Sequence, residues 1–256
     1  MSDEPDPFPA HYAALEARHL AELTFAEVRR ALQALSSLYV ERRERIAHGQ
    51  ALEGRGKRAA FALYYGPMHF LLVREIVRAL RLAAPTRIVD LGCGTGSAGA
   101  AWALERRPPA TVVAVDASGW AVGEARFTLR QLGIPGTASR GDAAGHEFDR
   151  GAGLVAAYTV NELGDPARDR LLTRVREAAG AGAPVLLVEP ISRRVSPWWP
   201  AWREAFLGAG GREDEWRFRP ALPEKLALLG KAAGLDAREL VGRSLALGAA
   251  VRRDLY

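Results

Sequence analysis

Apolar residues recur at three- and four-residue intervals through the first third of the chain. After Pro85 they gather instead into short runs separated by helical stretches. Between His11 and Leu38 the positions Leu15, Leu20, Leu23, Phe25, Val28, Leu32, Leu35 and Leu38 follow the helical period. Thr24 and Glu27 have the spacing of a capping box, so a second helix starts there. Glu41 to His48 continues it as a charged stretch closed by Gly49. A glycine-bearing loop leads to a further helix over 58–82, which Gly66-Pro67 should kink or break because proline lacks the backbone donor. Residues 1–10, acidic and proline-rich, read as a loose tail.

Beyond residue 83 the pattern alternates. Residues 87–91, 111–116, 137–140, 153–159 and 184–189 read as strands, and 97–105, 121–132 and 165–179 as the helices between them. That alternation implies a mainly parallel sheet with right-handed crossovers and helices on both faces. Residues 191–222 interrupt it with Trp198, Trp199, Trp202, Phe206, Trp216 and several arginines. The segment is either a lid over a site or a small satellite core. Residues 223–234 are helical again, and 239–256 suit an antiparallel pair around Gly248. The expected organisation is a tail (1–10), a helical segment (11–82) and one α/β domain (83–256), with 191–222 as its insertion.

Composition narrows the classes. At 256 residues the chain suits one α/β domain with a helical appendage. One cysteine, Cys93, excludes an intrachain disulfide framework and a multi-cysteine metal site, so no metal is expected. No apolar run reaches membrane-spanning length and the start is acidic, so a cytoplasmic protein away from membranes is the expectation. The net charge of +5 comes almost wholly from arginine, which forms bidentate phosphate contacts. RNA therefore stays among the candidate partners.

The chemistry centres on Asp90-Leu-Gly-Cys-Gly-Thr-Gly96, a glycine-rich turn between the first strand and its helix. Such a turn lies where ligands bind an open parallel sheet. Asp116, twenty residues after Gly96, ends the second strand and can accept from both hydroxyls of a ribose. Gly94-Thr-Gly-Ser-Ala-Gly99 also satisfies the dinucleotide pattern, which keeps an NAD-dependent oxidoreductase as a weaker alternative. The stretch Ile88–Gly96, with an aspartate two residues before three alternating glycines, resembles motif I of class I S-adenosylmethionine (SAM)-dependent methyltransferases. That resemblance implies a Rossmann-like, seven-stranded fold, SAM as cofactor and S-adenosylhomocysteine (SAH) as product. It assigns cofactor contacts to Asp90, Gly92, Cys93, Gly94, Gly96, Asp116, Ala117, Asp142, Ala143 and Thr159. Asp142 would take the adenine amino group, or be a solvated turn residue. Trp120 would pack beside the adenine, or in the core. Cys93 fills a small-residue slot of the loop and is not read as a nucleophile.

The acceptor belongs near the end of the fourth strand, Ala157-Tyr-Thr-Val-Asn-Glu-Leu163. Methyl transfer needs alignment and, for a protonated nucleophile, a base. Asn161 is the expected orienting group and Glu162 the expected base, unless both merely cap the next helix. Tyr65, His69, Glu189 and Trp198 are the candidate substrate contacts; Glu189 could instead pair with Arg193 or Arg194. Pro67–Phe70, Val89–Ala98 running into Trp102, Tyr158–Leu163 and Leu187–Pro190 together resemble the ribosome-associated methyltransferase-like family of the mitochondrial small subunit and its bacterial relatives. Relatives carry a cysteine-held metal cluster in the C-terminal half, where this chain has no cysteine, so no cluster is expected. The reading is SAM-dependent methyl transfer to RNA, the ribosome or a small molecule, with a catalytically silent SAM-binding assembly factor as the alternative.

Overall fold

The computed structural model describes residues 5–41, 52–82, 85–192, 196–235 and 238–248. Helix α1 (Phe8–His19) begins before His11, so residues 8–10 belong to the fold rather than to a loose tail. Two contacts fix its start. The Asp6 carboxylate accepts from the Phe8 amide at 3.0 Å and from Arg74 Nη1 at 2.9 Å. Phe8 is buried and stacks on Phe70, with ring centroids 4.8 Å apart. Prolines in a helix's first turn cost little, since those amides lack partners anyway. At the other end, Arg18 and His19 both reach the buried carboxylate of Glu124. Burial works against its charge, but His19 and Arg18 hold its pKa below the usual range.

Helix α2 (Phe25–Glu41) starts at the capping box foreseen from sequence. The Thr24 amide donates to Glu27 Oε2 at 2.8 Å, and the Glu27 amide donates to Thr24 Oγ1 at 3.3 Å. Residues 42–48 of its charged continuation lie outside the described residues. Helix α3 (Arg55–Ala60), a π-helical turn (Phe61–Tyr65) and helix α4 (Gly66–Leu80) then run on without a break. The proline that was expected to interrupt the helix is accommodated by widening it. The Gly66 amide donates to the Phe61 carbonyl five residues back, so the turn gains one residue just before Pro67.

The sheet contains β1 (Arg87–Leu91), β2 (Thr111–Asp116), β3 (Gly136–Arg140), β4 (Gly153–Ala157), β5 (Val185–Glu189), β6 (Arg212–Phe218) and β7 (Leu240–Leu247). Their order is β3-β2-β1-β4-β5-β7-β6. β1 to β5 are parallel, and β7 is antiparallel to both β5 and β6. The order reverses between β1 and β4, and their carboxyl ends open a crevice.

Alternate strand residues enter two cores. Ile88, Val112, Ala114, Val155, Leu186 and Val188 face one that includes α1 to α4, α5 (Ser97–Ala103) and α6 (Gly119–Gln131). Val89, Leu91, Leu154, Ala156, Val185 and Leu187 face the other, under α7 (Asp165–Gly180) and α8 (Trp199–Gly208). Strands buried on both faces must be apolar throughout, which is why these runs read as continuous.

Two expectations need correction here. Residues 191–222 are not a lid: they supply α8 and the edge strand β6, and Trp198, Trp199, Trp202 and Phe206 are buried in the second core. Indole and phenyl groups this large stabilise most when buried against the sheet, so the satellite-core alternative is the one realised. The other concerns the terminal antiparallel pair: β7 lies between β5 and β6 and pairs with both, and the residues of the expected pair beyond Gly248 lie outside the described residues. Helix α9 (Glu224–Ala232) joins β6 to β7.

Candidate cofactor and methyl-transfer site

The Gly92 and Cys93 amides both donate to the Val115 carbonyl near the end of β2, at 2.8 and 3.0 Å. The Gly96 amide donates to the Cys93 carbonyl at 2.7 Å, closing the turn. Gly92, Gly94 and Gly96 have φ of +67°, +53° and +76°, in the left-handed region. Gly92 is also crowded from below: a Cβ there would overlap the Thr159 side chain, 2.5 Å from Oγ1. Thr159 Oγ1 lies 2.9 Å from the Leu91 carbonyl and 3.2 Å from that of Gly92. Thr159 therefore supports the loop from beneath. Cys93 is buried and its thiol pKa is pushed well up, by burial first and then by the Asp90 and Asp116 charges, which suits a packing role.

The two aspartates hold the loop differently. Asp116 Oδ2 accepts from the Gly94 amide at 2.9 Å and Oδ1 from the Ser118 amide at 2.8 Å. Burial raises its pKa, while those two amides counteract the rise. Each carboxylate oxygen keeps a second acceptor site, so Asp116 can also receive ribose hydroxyls. Asp90 is fully enclosed; Oδ2 accepts from the Gly99 amide at 2.9 Å, and Oδ1 has no hydrogen-bond partner. A buried carboxylate oxygen with unused acceptor capacity beside a glycine cradle fits a cofactor with a positively charged methionine portion.

Burial, with a smaller push from Asp116, raises the Asp90 pKa from 3.8 to about 7, against the Gly99 hydrogen bond. A raised carboxyl pKa makes the folded state bind a proton that the unfolded chain has already released. Its stabilisation is complete below about pH 4 and is lost as pH rises to about 7. Three pKa units correspond to about 4 kcal/mol. Asp90→Asn should flatten this dependence: the melting temperature of ligand-free wild type, minus that of the variant, should fall steadily from pH 5 to pH 7.5. A difference that stays constant over that range would mean that Asp90 is ionised throughout.

The remaining cofactor candidates lie around the crevice. Ala117 is exposed, and its carbonyl accepts from Arg140 Nε at 3.2 Å. Asp142 is exposed just past β3; its Oδ1 accepts from the Ala144 amide at 3.0 Å, as in an Asx turn, and Ala143 is buried behind it. Trp120 is half-buried, with its ring edge-on to Phe61 at 6.1 Å.

On the acceptor side the structure separates the candidates. Tyr65 and His69 come to the crevice, joined by two residues that sequence reasoning missed. Tyr158 follows β4 with φ of +59°, a left-handed conformation that bulky residues rarely adopt. Its ring stacks on His69 with centroids 3.9 Å apart. Phe61 lies edge-on to His69 at 6.0 Å, and its Cε1 is 3.9 Å from where a Gly94 Cβ would sit. Phe61 had a usable signal, one turn before Tyr65 on the same helix; the backbone of Tyr158 had none.

Asn161, Glu189 and Trp198 form a link within the fold instead of a substrate surface. Asn161 Nδ2 donates to Glu189 Oε2 at 2.6 Å, and its Oδ1 accepts from Ser196 Oγ and Trp198 Nε1, both at 2.8 Å. Glu189 is completely buried; Oε1 also accepts from the Val160 amide at 3.0 Å, and the residue lies in register with Arg243. A buried carboxylate requires such partners, so Glu189 turns into the fold rather than toward the crevice. Arg193 and Arg194, its suggested partners, lie outside the described residues. Glu162 is exposed on the 3-10 turn Val160–Glu162. Neither it nor Asn161 caps α7, whose N-cap is Gly164 without a side-chain hydrogen bond. Among the described residues no group of His, Cys, Asp and Glu could hold a metal ion, and no helix is long and apolar enough to cross a membrane.

Residues 88–182 match the family model described as a methyltransferase domain. That segment is a methyltransferase domain. A protein of Nostoc punctiforme PCC 73102, provisionally named an O-methyltransferase, is similar in fold, with 13% identity and a TM-score of 0.54 over 93% of this chain and 72% of that chain. A Listeria monocytogenes protein, provisionally named a class I S-adenosylmethionine-dependent methyltransferase, has 11% identity and a TM-score of 0.48 over 97% of this chain and 87% of that one. No curated protein matches by sequence. The domain match makes this a SAM-dependent methyltransferase and sets aside the NAD reading. When bound, SAM supplies an electrophilic methyl group; Asp116 and the loop from Asp90 to Gly96 are the residues that would hold it.

Proposed function

We propose that this methyltransferase modifies an RNA base, in the setting of the ribosome. The observation that carries the reading is a basic and aromatic margin beside the donor loop. The Arg58 guanidinium lies 5.9 Å over the Trp120 ring, and both Arg58 and Arg140 are exposed, the latter against Ala117. Arginine pairs with phosphate, and aromatic rings stack bases that have left a helix. The resemblance of Tyr158–Leu163 and Leu187–Pro190 to the ribosome-associated group supports the same acceptor.

The chemistry expected is in-line transfer governed by alignment. Asn161 is committed to Glu189, Ser196 and Trp198 and acts by holding the loop after β4 in place. An acceptor atom with an available lone pair, such as a ring nitrogen, needs no base to be methylated, which agrees with an exposed Glu162. Incubating the enzyme with methyl-tritiated SAM and cell extract, then separating RNA, protein and small molecules, tests this. Label in RNA is the expected result. Label only in small molecules would replace the acceptor, and SAM binding with no label anywhere would favour the silent assembly factor.

A further inference from the structure

Helix α1 reaches the donor loop through one polar side chain. His11 is 5% exposed and lies among Gly66, Phe70, Thr95, Ser97 and Thr128. The space between them admits no water-sized group, and none of the residues lining it carries a fixed charge. Thr95 and Ser97, where the glycine loop runs into α5, are buried, and their hydroxyls meet at 2.8 Å. Gly66 brings the widened helix against the same pair: a Cβ there would stand 2.6 Å from Thr95 Oγ1. His11 Nδ1 is buried with no hydrogen-bond partner among the described residues. A neutral ring bears this at modest cost, but a protonated ring would enclose an uncompensated charge. The charged groups that tie α1 to its neighbours are engaged elsewhere: Arg74 with Asp6, Arg18 and His19 with Glu124, and Lys225 with Glu16. Burial by itself pushes the His11 pKa from 6.5 down to about 4.

We propose that His11 is a positioning residue for the donor loop: its neutral ring seats α1 against Thr95 and Ser97, and protonating the ring releases helix and loop together. The proposal holds for any methyl acceptor, because it concerns only how the donor site keeps its shape. Its sign follows from linkage. A histidine whose pKa is depressed by docking favours the docked helix fully above about pH 6.5 and loses that preference as pH falls toward 4. At pH 5 docking is about 30-fold less favourable than at neutral pH. SAM binding needs the loop in place, so it weakens over the same interval. Asp90 and Asp116 also have shifted pKa values, but they are unchanged by a substitution at position 11 and cancel in a comparison of variants.

Titration calorimetry with SAM at pH 7.5 and pH 5, on wild type and on His11→Phe, tests this without any acceptor. Phenylalanine keeps a ring and cannot be protonated; if that variant does not fold, His11→Gln, also uncharged, replaces it. Between the two pH values wild-type affinity should fall about 3- to 30-fold more than that of the variant. Hydrogen exchange on wild type alone gives a second readout. After correction for intrinsic rates, amides of 8–19 and of 97–103 should lose protection together at pH 5, and saturating SAM should restore both. Parallel affinity profiles in the two proteins would mean that His11 only packs, and the proposal fails. It also fails if α1 keeps its protection at pH 5, or loosens while 97–103 stays closed. If wild type binds no SAM at pH 7.5, the SAM-dependent reading fails and this proposal with it.

Discussion

Replacing Gly92 with alanine is expected to destabilise the protein by about 3 kcal/mol and to abolish measurable SAM binding. Two costs combine. A left-handed backbone with a Cβ costs about 1–2 kcal/mol, and forcing a methyl group into filled space costs about 1–3 kcal/mol. At Gly92 the φ of +67° incurs the first, and the Thr159 side chain already occupies the space for the second. For a chain of this size the melting temperature should fall by about 6–12 °C. Thr159→Ala removes the overlapping atoms but not the backbone strain. The double variant should therefore recover part of the loss, with a favourable coupling above about 1 kcal/mol. A Gly92→Ala protein that melts and binds like wild type would show that the loop relaxes freely and is no rigid cradle.

Asp116→Ala should weaken SAM binding roughly 100-fold, because hydrogen bonds to a charged group are worth about 1.5–3 kcal/mol each. The carboxylate would receive the ribose, and it ties the Gly94 and Ser118 amides into one turn. Asp116→Asn retains one acceptor oxygen and should fall between the two. The unfolding midpoint should move less than the affinity, since Asp116 is only partly buried and its charge already suffers from that burial. Calorimetry and thermal melting on the same preparations separate the effects. If affinity survives the loss of the carboxylate, the ribose is held elsewhere.

The glycine loop was legible because its chemistry is local. Positive φ, a tight turn and an acid two residues ahead are properties of seven adjacent residues. Asp116 was legible for a similar reason, as the end of an apolar strand at a suitable distance. The acceptor side was not. Asn161, Glu189 and Trp198 each looked like a site residue because polar or aromatic groups at a strand's end often are. Only their meeting across 28 and 37 positions of chain shows that they satisfy one another. Tyr158 was silent in the sequence, since its strained backbone arises from fitting Thr159 beneath Gly92 while its own amide donates to the Val188 carbonyl.

The periodicity of apolar residues, the turn chemistry and the capping box by themselves determined the alternation of strands and helices, the parallel body of the sheet and the place of the donor loop. These depend on contacts between near neighbours, which a linear pattern records. Tertiary structure alone decided that α1 begins at Phe8, that Gly66-Pro67 widens a helix without breaking it, and that the tryptophans of 198–206 fill a core. It also placed Phe61 beside Gly94. Those outcomes depend on which distant side chains occupy the same space, and the energy of burying them together is not a property of either segment alone.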